Sequence, residues 1–299
     1  MTVSYVVTAL CGGLGNQMFQ YAAGRTLALR LLVPLLLDIS WFNNVVSDTP
    51  REYMLNAFPV QGGIAREEQV APFRRHSEKI HEIVVRKVLG RPRSLPNGLV
   101  EEPHFHYWEG FRLVRPPAYL VGYWQSEQYF ADHARVIRSD FQFPQLPDGV
   151  ARNVAQAIAE SPHPVAVHVR RGDYVSNPQA NAAHGVCAAS YYGQAIAYVA
   201  GQHPSAKLFL FSDDPAWVKE HFDTHGMPAT VVDLVMPNEP WHDMHLISLC
   251  KHHIIANSSF SWWGAWLGEK GGMVYAPKQW FAASDKQGLS PCPERWVTL

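Results

Sequence analysis

The side chains best suited to chemistry lie together in the stretch Pro164-Val165-Ala166-Val167-His168-Val169-Arg170-Arg171-Gly172-Asp173-Tyr174. Two adjacent guanidinium groups offer planar, two-pronged donors, and such donors suit a phosphate or diphosphate. Val165, Val167 and Val169 alternate with small or polar residues after a proline, which predicts a strand running up to the arginines. Gly172 then allows the chain to turn. Open α/β sheets bind ligands beyond the carboxyl ends of their strands. The arginine pair is therefore expected where an anion would sit. The plainer alternative is a surface Arg-Arg pair neutralised by Asp173.

Other stretches carry similar chemistry. Tyr5 to Leu10 reads as a strand entering Gly12-Gly13-Leu14-Gly15, with a helix beyond it whose apolar positions include Met18, Phe19, Ala22, Ala23, Leu27 and Leu31. This invites a dinucleotide reading, with Asp38 at about the distance of a ribose contact, but Met18 stands where the third glycine belongs. A tight turn that brings helix and sheet together explains the glycines as well. Asn16 and Gln17 fall at the first helical turn, beside exposed amides that suit a diphosphate. His252 to Ala256 predicts a strand delivering Asn257, Ser258, Ser259 and Ser261 to a helix over 262–267. Those groups are helix caps, an anion cradle, or both. Tyr123, Trp124 and Gln125 follow the predicted strand from Ala118 to Gly122, where they serve either as a sugar platform or as core. Asp213 and Asp214 are adjacent rather than spaced and precede Pro215, as helix caps do. His242 and His245 have H-x-x-H spacing without an evident third ligand. No metal is expected.

The segment His168 to Tyr174 resembles the signature of the α-1,2-fucosyltransferases, glycosyltransferase family 11, and more distantly that of the α-1,6 enzymes. Three further stretches match the same family in order: Gly12 to Tyr21, Gly122 to Phe130, and Asn257 to Gly264. The resemblance implies an α/β fold of the GT-B kind, with two Rossmann-like domains facing a central cleft. Residues 1–147 would carry mainly the acceptor side and residues 148–299 mainly GDP-fucose, the C-terminal tail packing back on the first domain. It implies donor contacts from Gly15, Asn16, His168, Arg170, Arg171, Asp243, Asn257, Ser258 and Ser259, with His168 and Asp243 on the guanine. Tyr123, Trp124 and Gln125 are expected near a terminal galactoside acceptor. The implied reaction is inverting transfer of fucose to a galactose 2-hydroxyl, without metal or other cofactor. Arg170 is then expected to meet the charge that grows on the departing β-phosphate. Asp173 is the nearest candidate base, but pairing to an arginine would depress its basicity, so the base stays unassigned. The alternatives are a fucosyltransferase of another linkage, α-1,6-like, or a non-catalytic protein that binds a GDP-sugar or sugar.

The elements that must position these groups alternate between strand and helix in both halves, which indicates two α/β units. Prolines and a terminal glycine over 141–149 mark a linker between them. With 299 residues, 47% of them apolar and 17% charged, the chain has ample material for a packed core. A net charge of −1 argues against nucleic acid as a partner. The four cysteines are scattered without CxxC spacing, as fits a reducing compartment. Neither a signal peptide nor an apolar run of transmembrane length is evident, and a bacterial cytoplasmic enzyme is expected. A basic stretch from Arg74 to Arg93 is either a solvated face or a weak peripheral contact with anionic lipid at the inner membrane.

Overall fold

The computed structural model describes residues 4–43, 51–74, 98–234 and 239–299. Most of the basic stretch, residues 75–93, lies outside them. Two parallel sheets organise the chain. The first contains β1 (Val6–Ala9), β2 (Leu35–Asp38), β3 (Gly63–Ile64), β4 (Leu99–Glu101) and β5 (Ala118–Val121), in the order β3-β2-β1-β5-β4. The second contains β6 (Pro164–Val169), β7 (Lys207–Ser212), β8 (Ala229–Val231), β9 (His252–Ile254), β10 (Val274–Ala276) and β11 (Val297–Thr298), in the order β11-β10-β9-β6-β7-β8. Each sheet reverses its winding once, between β1 and β5 in the first and between β6 and β9 in the second. These are the switch points where loops part and a crevice opens. The four stretches that carry the family resemblance leave the carboxyl ends of these four strands. This is the GT-B-like arrangement.

The two sheets share an aromatic core. The helix Leu14–Leu31 is buried on nearly every face because it lies between the first sheet and the helix Ser259–Leu267. Phe19 packs at 4.5 Å from Trp262 and 5.0 Å from Trp263, and Phe130 stacks on Trp263 at 5.3 Å. From the C-terminal segment, Trp280, Phe281 and Trp296 join the same cluster as Leu14, Phe19 and Phe130. Gly15 makes this contact possible. A Cβ there would lie 2.5 Å from the carbonyl carbon of Ser259 and 2.6 Å from the Phe260 nitrogen. The Trp263 indole N–H, in turn, donates to the Gly15 carbonyl at 3.0 Å.

Candidate active site

A cleft of about 490 Å³ lies between the carboxyl ends of the two sheets, within the usual range for a ligand pocket. Its floor is a junction of three of the four stretches. The Oδ1 of Asn16 accepts from the Ser259 hydroxyl and from the Gln125 amide, each at 2.8 Å. The amino ends of the helices Leu14–Leu31 and Ser259–Leu267 both border the cleft, so two positive helix ends face the same space.

Arg170 lines the wall contributed by β6. Its Nη1 pairs with Asp213 Oδ2 at 2.8 Å, and its guanidinium lies 5.3 Å from the Tyr174 ring centre. The end of β7 is shaped for this pairing. Ser212 donates its hydroxyl to the Val169 carbonyl, and Asp213 Oδ1 accepts the Arg171 backbone N–H. Gly172 leaves room for the carboxylate, since a Cβ there would lie 2.4 Å from Asp213 Oδ2. Asp214 caps the helix Pro215–His221 by accepting from the Trp217 N–H.

His168 is also in the lining and only 5% exposed. Burial, reinforced by the Arg170 charge, pushes its pKa down to about 3, so the ring is neutral. Its Nδ1 is buried without a hydrogen-bond partner among the described residues. Asp243 lies on the same lining, in the first turn of the helix Trp241–Leu249. Burial, with a smaller contribution from the Asp233 charge, raises its carboxyl from 3.8 to about 6.

The structure corrects several expectations about individual side chains. Arg171 turns away from the cleft: its guanidinium lies 3.6 Å over the Trp217 ring and 3.7 Å from Asp214. Trp124 is fully buried, caged by Phe111 and Tyr129, with its backbone in the left-handed region at φ 55°. Its neighbours Tyr123 and Gln125 do line the cleft, Tyr123 half-exposed. Glu102 holds that loop by accepting the backbone N–H groups of Tyr123 and Trp124 at 2.7 and 3.0 Å. Asn257 borders the cleft, but its amide N–H groups are engaged by the carbonyls of His184, Gly185 and Trp280. Its contribution is to bind the rim together. Ser258 caps the helix that follows it, accepting from the Phe260 N–H. Gly15 serves close helix packing as much as any ligand. The side chain of Asp173 lies outside the described structure.

The cleft also contains residues that the sequence did not single out. Arg51 and Lys286 add two cations, and Phe105, His184 and Phe281 add aromatic surface. Gln17, buried, organises the approach to Arg51: it donates to the Glu52 carbonyl and accepts from the Met54 N–H. Among the described residues one group has ligand-like spacing, His163, His203 and His252. It lies at the starts of β6 and β9, at the opposite end of the sheet from the cleft. The Met273 N–H donates to His252 Nδ1, which leaves the proton of the neutral ring on Nε2.

Comparison with known proteins agrees with this fold. The profile described as Glycosyl transferase family 11 matches residues 64–298. An alpha-1,2-colitosyltransferase of Escherichia coli is 33% identical over 99% of both chains. The O-antigen biosynthesis glycosyltransferase WbnK of the same species is 32% identical over 98% of this chain and 99% of its own. Human galactoside alpha-(1,2)-fucosyltransferase 1 is 32% identical over 34% of this chain and 28% of its own. Among solved structures, the fucosyltransferase NodZ from Bradyrhizobium superposes with a TM-score of 0.51 at 16% identity, covering 88% of this chain and 92% of that one. POFUT1 in complex with GDP superposes with a TM-score of 0.52 at 13% identity, covering 92% and 98%. At those identities the structures speak for the fold alone, whereas the two E. coli relatives extend over nearly the full length. The chain belongs to glycosyl transferase family 11 and is a glycosyltransferase.

Proposed function

We propose that the chain transfers L-fucose from GDP-β-L-fucose to the 2-hydroxyl of a terminal galactoside, by a single inverting displacement that needs no metal. The observation that carries this reading is the cleft itself. Arg170, the Asn16–Ser259 junction and two helix amino ends border one space that His168 also lines. Residues 1–147 would present the acceptor and residues 148–299 the donor. In the reaction the acceptor oxygen forms a bond to the fucose anomeric carbon as the bond to the β-phosphate oxygen breaks. GDP carries away the electron pair, and the acceptor hydroxyl gives up its proton to solvent. Arg170, Arg51 and the helix ends supply fixed positive charge for the departing diphosphate, the kind of pre-organised stabilisation that usually dominates such catalysis. The carboxylates lining the cleft among the described residues are Asp213 and Asp243. Asp213 is held by Arg170, and Asp243 is assigned to the guanine.

The name of the E. coli colitosyltransferase favours a second donor reading. Colitose is L-fucose without its 3-hydroxyl, so the same cleft would take GDP-colitose unless a group bonds that hydroxyl. Incubation with each donor, a panel of galactosides and linkage analysis of the product distinguishes the two. Transfer of fucose to the galactose 2-hydroxyl, undiminished in excess EDTA, is expected. Activity abolished by EDTA and restored by Mn²⁺ would defeat the metal-free mechanism, and product at another hydroxyl would defeat the linkage.

A pH dependence follows from Asp243. If its carboxylate accepts the two N–H groups on the guanine edge, only the ionised form does so. GDP affinity should therefore fall as pH drops through about 6. Asp243→Asn should weaken GDP binding at pH 8 by about 1–3 kcal/mol and flatten that profile. In the ligand-free protein the sign reverses. A folded carboxyl raised from 3.8 to about 6 is destabilising once ionised. The penalty is absent below pH 4, grows up to pH 6 and is complete above it, at roughly 2–3 kcal/mol. Asp243→Asn should therefore raise the melting temperature at pH 8 and leave it unchanged at pH 4. A variant with both wild-type GDP affinity and wild-type melting would remove Asp243 from the guanine.

A further inference from the structure

The side chains lining the cleft narrow the choice of a group to draw the proton from the acceptor hydroxyl. Arg51, Arg170 and Lys286 are cations and have nothing to accept it with. Asp213 is paired with Arg170, and Asp243 has been assigned to the guanine. His168, with its pKa pushed down to about 3, is too weak a base for an alcohol proton. Tyr123 and Tyr174 carry phenols, which keep their protons near neutral pH. One basic side chain then remains among the described residues of the lining: His184.

Histidine is the side chain whose ordinary titration lies closest to neutral, which suits it to take a proton and return it. His184 ends the helix Pro178–His184, which Asn177 caps by accepting the N–H groups of Gln179 and Ala180. Gly185 stops the helix at φ 66°, a conformation that suits glycine. The Asn257 amide donates to the His184 carbonyl at 2.8 Å, and the Ala282 N–H to the Ala183 carbonyl at 3.0 Å, so the backbone here is pinned from two other segments. The imidazole is fixed as well. It lies parallel to the Tyr174 ring at 5.0 Å and packs 5.7 Å from Phe281. Its Nδ1 is buried, so a base at this position acts through Nε2. The same Tyr174 ring has the Arg170 guanidinium 5.3 Å from its centre. An inverting displacement needs a cation at the departing phosphate and a base at the attacking hydroxyl. Two groups that share one aromatic neighbour in the same cleft are close enough to serve the two ends of one sugar transfer.

We infer that His184 is the general base of the transfer. Its Nε2 takes the proton of the acceptor hydroxyl as that oxygen bonds to the anomeric carbon and the electron pair of the breaking bond leaves with GDP. The imidazolium then gives the proton to solvent. The inference rests on the reading of the cleft as the seat of sugar transfer, and it adds the residue that activates the acceptor.

The test begins with binding. In the protein saturated with GDP, methyl β-galactoside should shift the imidazole NMR signals of His184, assigned by their loss in His184→Gln. An unmoved His184 in a protein that binds the galactoside overturns the inference. Kinetics follow. His184→Gln and His184→Ala should lower kcat by about 10²–10⁴-fold, the usual worth of a positioned base, with GDP affinity and melting temperature close to wild type. Added imidazole should restore part of the rate of His184→Ala, in proportion to its unprotonated form, which a merely structural role would not produce. Near-normal kcat in both variants overturns the inference, as does a loss that imidazole leaves untouched. Asp173→Asn is the control: turnover lost there and kept in His184→Ala would move the base to Asp173. Fucose transfer by the wild type with no effect at His184 removes the base and leaves the function standing. A wild type that transfers no sugar faults the reaction, and the galactoside-induced shift still decides whether His184 faces the acceptor.

Discussion

Replacing Arg170 with alanine is expected to lower kcat by about 10²–10³-fold while changing GDP affinity only a few-fold. The guanidinium is proposed to meet charge that appears only as the sugar–phosphate bond breaks, so its loss falls on turnover rather than on donor binding. A second effect adds to the first. Without Arg170, the Asp213 carboxylate 2.8 Å from it is left uncompensated in the wall of the cleft, where it repels the departing diphosphate. The double variant Arg170→Ala/Asp213→Asn separates the two contributions: any activity it regains over Arg170→Ala measures the repulsion. Arg170→Lys should recover little, because an ammonium cannot hold Asp213 and a phosphate oxygen in one planar fork. Steady-state and single-turnover rates, measured on variants with confirmed folding and GDP binding, provide the test. A stable Arg170→Ala enzyme with near-normal kcat would show that the pair with Asp213 is structural only.

Gly15→Ala is expected to lower both the melting temperature and the affinity for GDP, although alanine is the better helix former. The propensity gain is about 1 kcal/mol. Against it stands a Cβ placed 2.5 to 2.7 Å from the carbonyl carbon and oxygen of Ser259 and the nitrogen of Phe260. These are backbone atoms of another helix and cannot rotate aside, so the two helices must separate. Overpacking of this kind costs about 1–3 kcal/mol, occasionally more, and separation also strains the Trp263–Gly15 and Ser259–Asn16 hydrogen bonds. The second contribution outweighs the first, and the cleft floor widens. Calorimetry and GDP titration of the variant check this. Melting and affinity equal to wild type would mean that the helices are not in contact at Gly15.

Much of this architecture was legible in the sequence because it follows from local pattern. The valines of 165–169 gave β6, and the apolar spacing after Gly15 gave the first helix. The glycosyltransferase assignment rested on four stretches in register, and both the family match and the near-full-length relatives agree with it. Side-chain direction was less legible, because it depends on partners distant in the chain. Arg171 is drawn off the cleft by Trp217, and Trp124 is held in the core by Phe111 and Tyr129. Asn257 is engaged by carbonyls of residues 184, 185 and 280. Arg51 reaches the cleft from an irregular segment and Lys286 from the short 3-10 turn Ser284–Lys286, and neither carries a periodic signal. Asp213 was read beside Asp214 as a cap, and only the register of β6 with β7 reveals it as the partner of Arg170.

The shared aromatic core has a consequence for the order of events during synthesis. Phe19, Phe130 and Phe141 leave the ribosome well before the tryptophans at 262 and 263 that complete their packing, Phe141 by roughly 120 residues. At about 5–20 residues per second this is a wait on the order of ten seconds. Throughout it, the first sheet can be paired while the outer face of its first helix remains wet and adhesive. The nascent amino-terminal half is thus a natural client for a chaperone, and it reaches its final form only when the helix Ser259–Leu267 arrives to cover it.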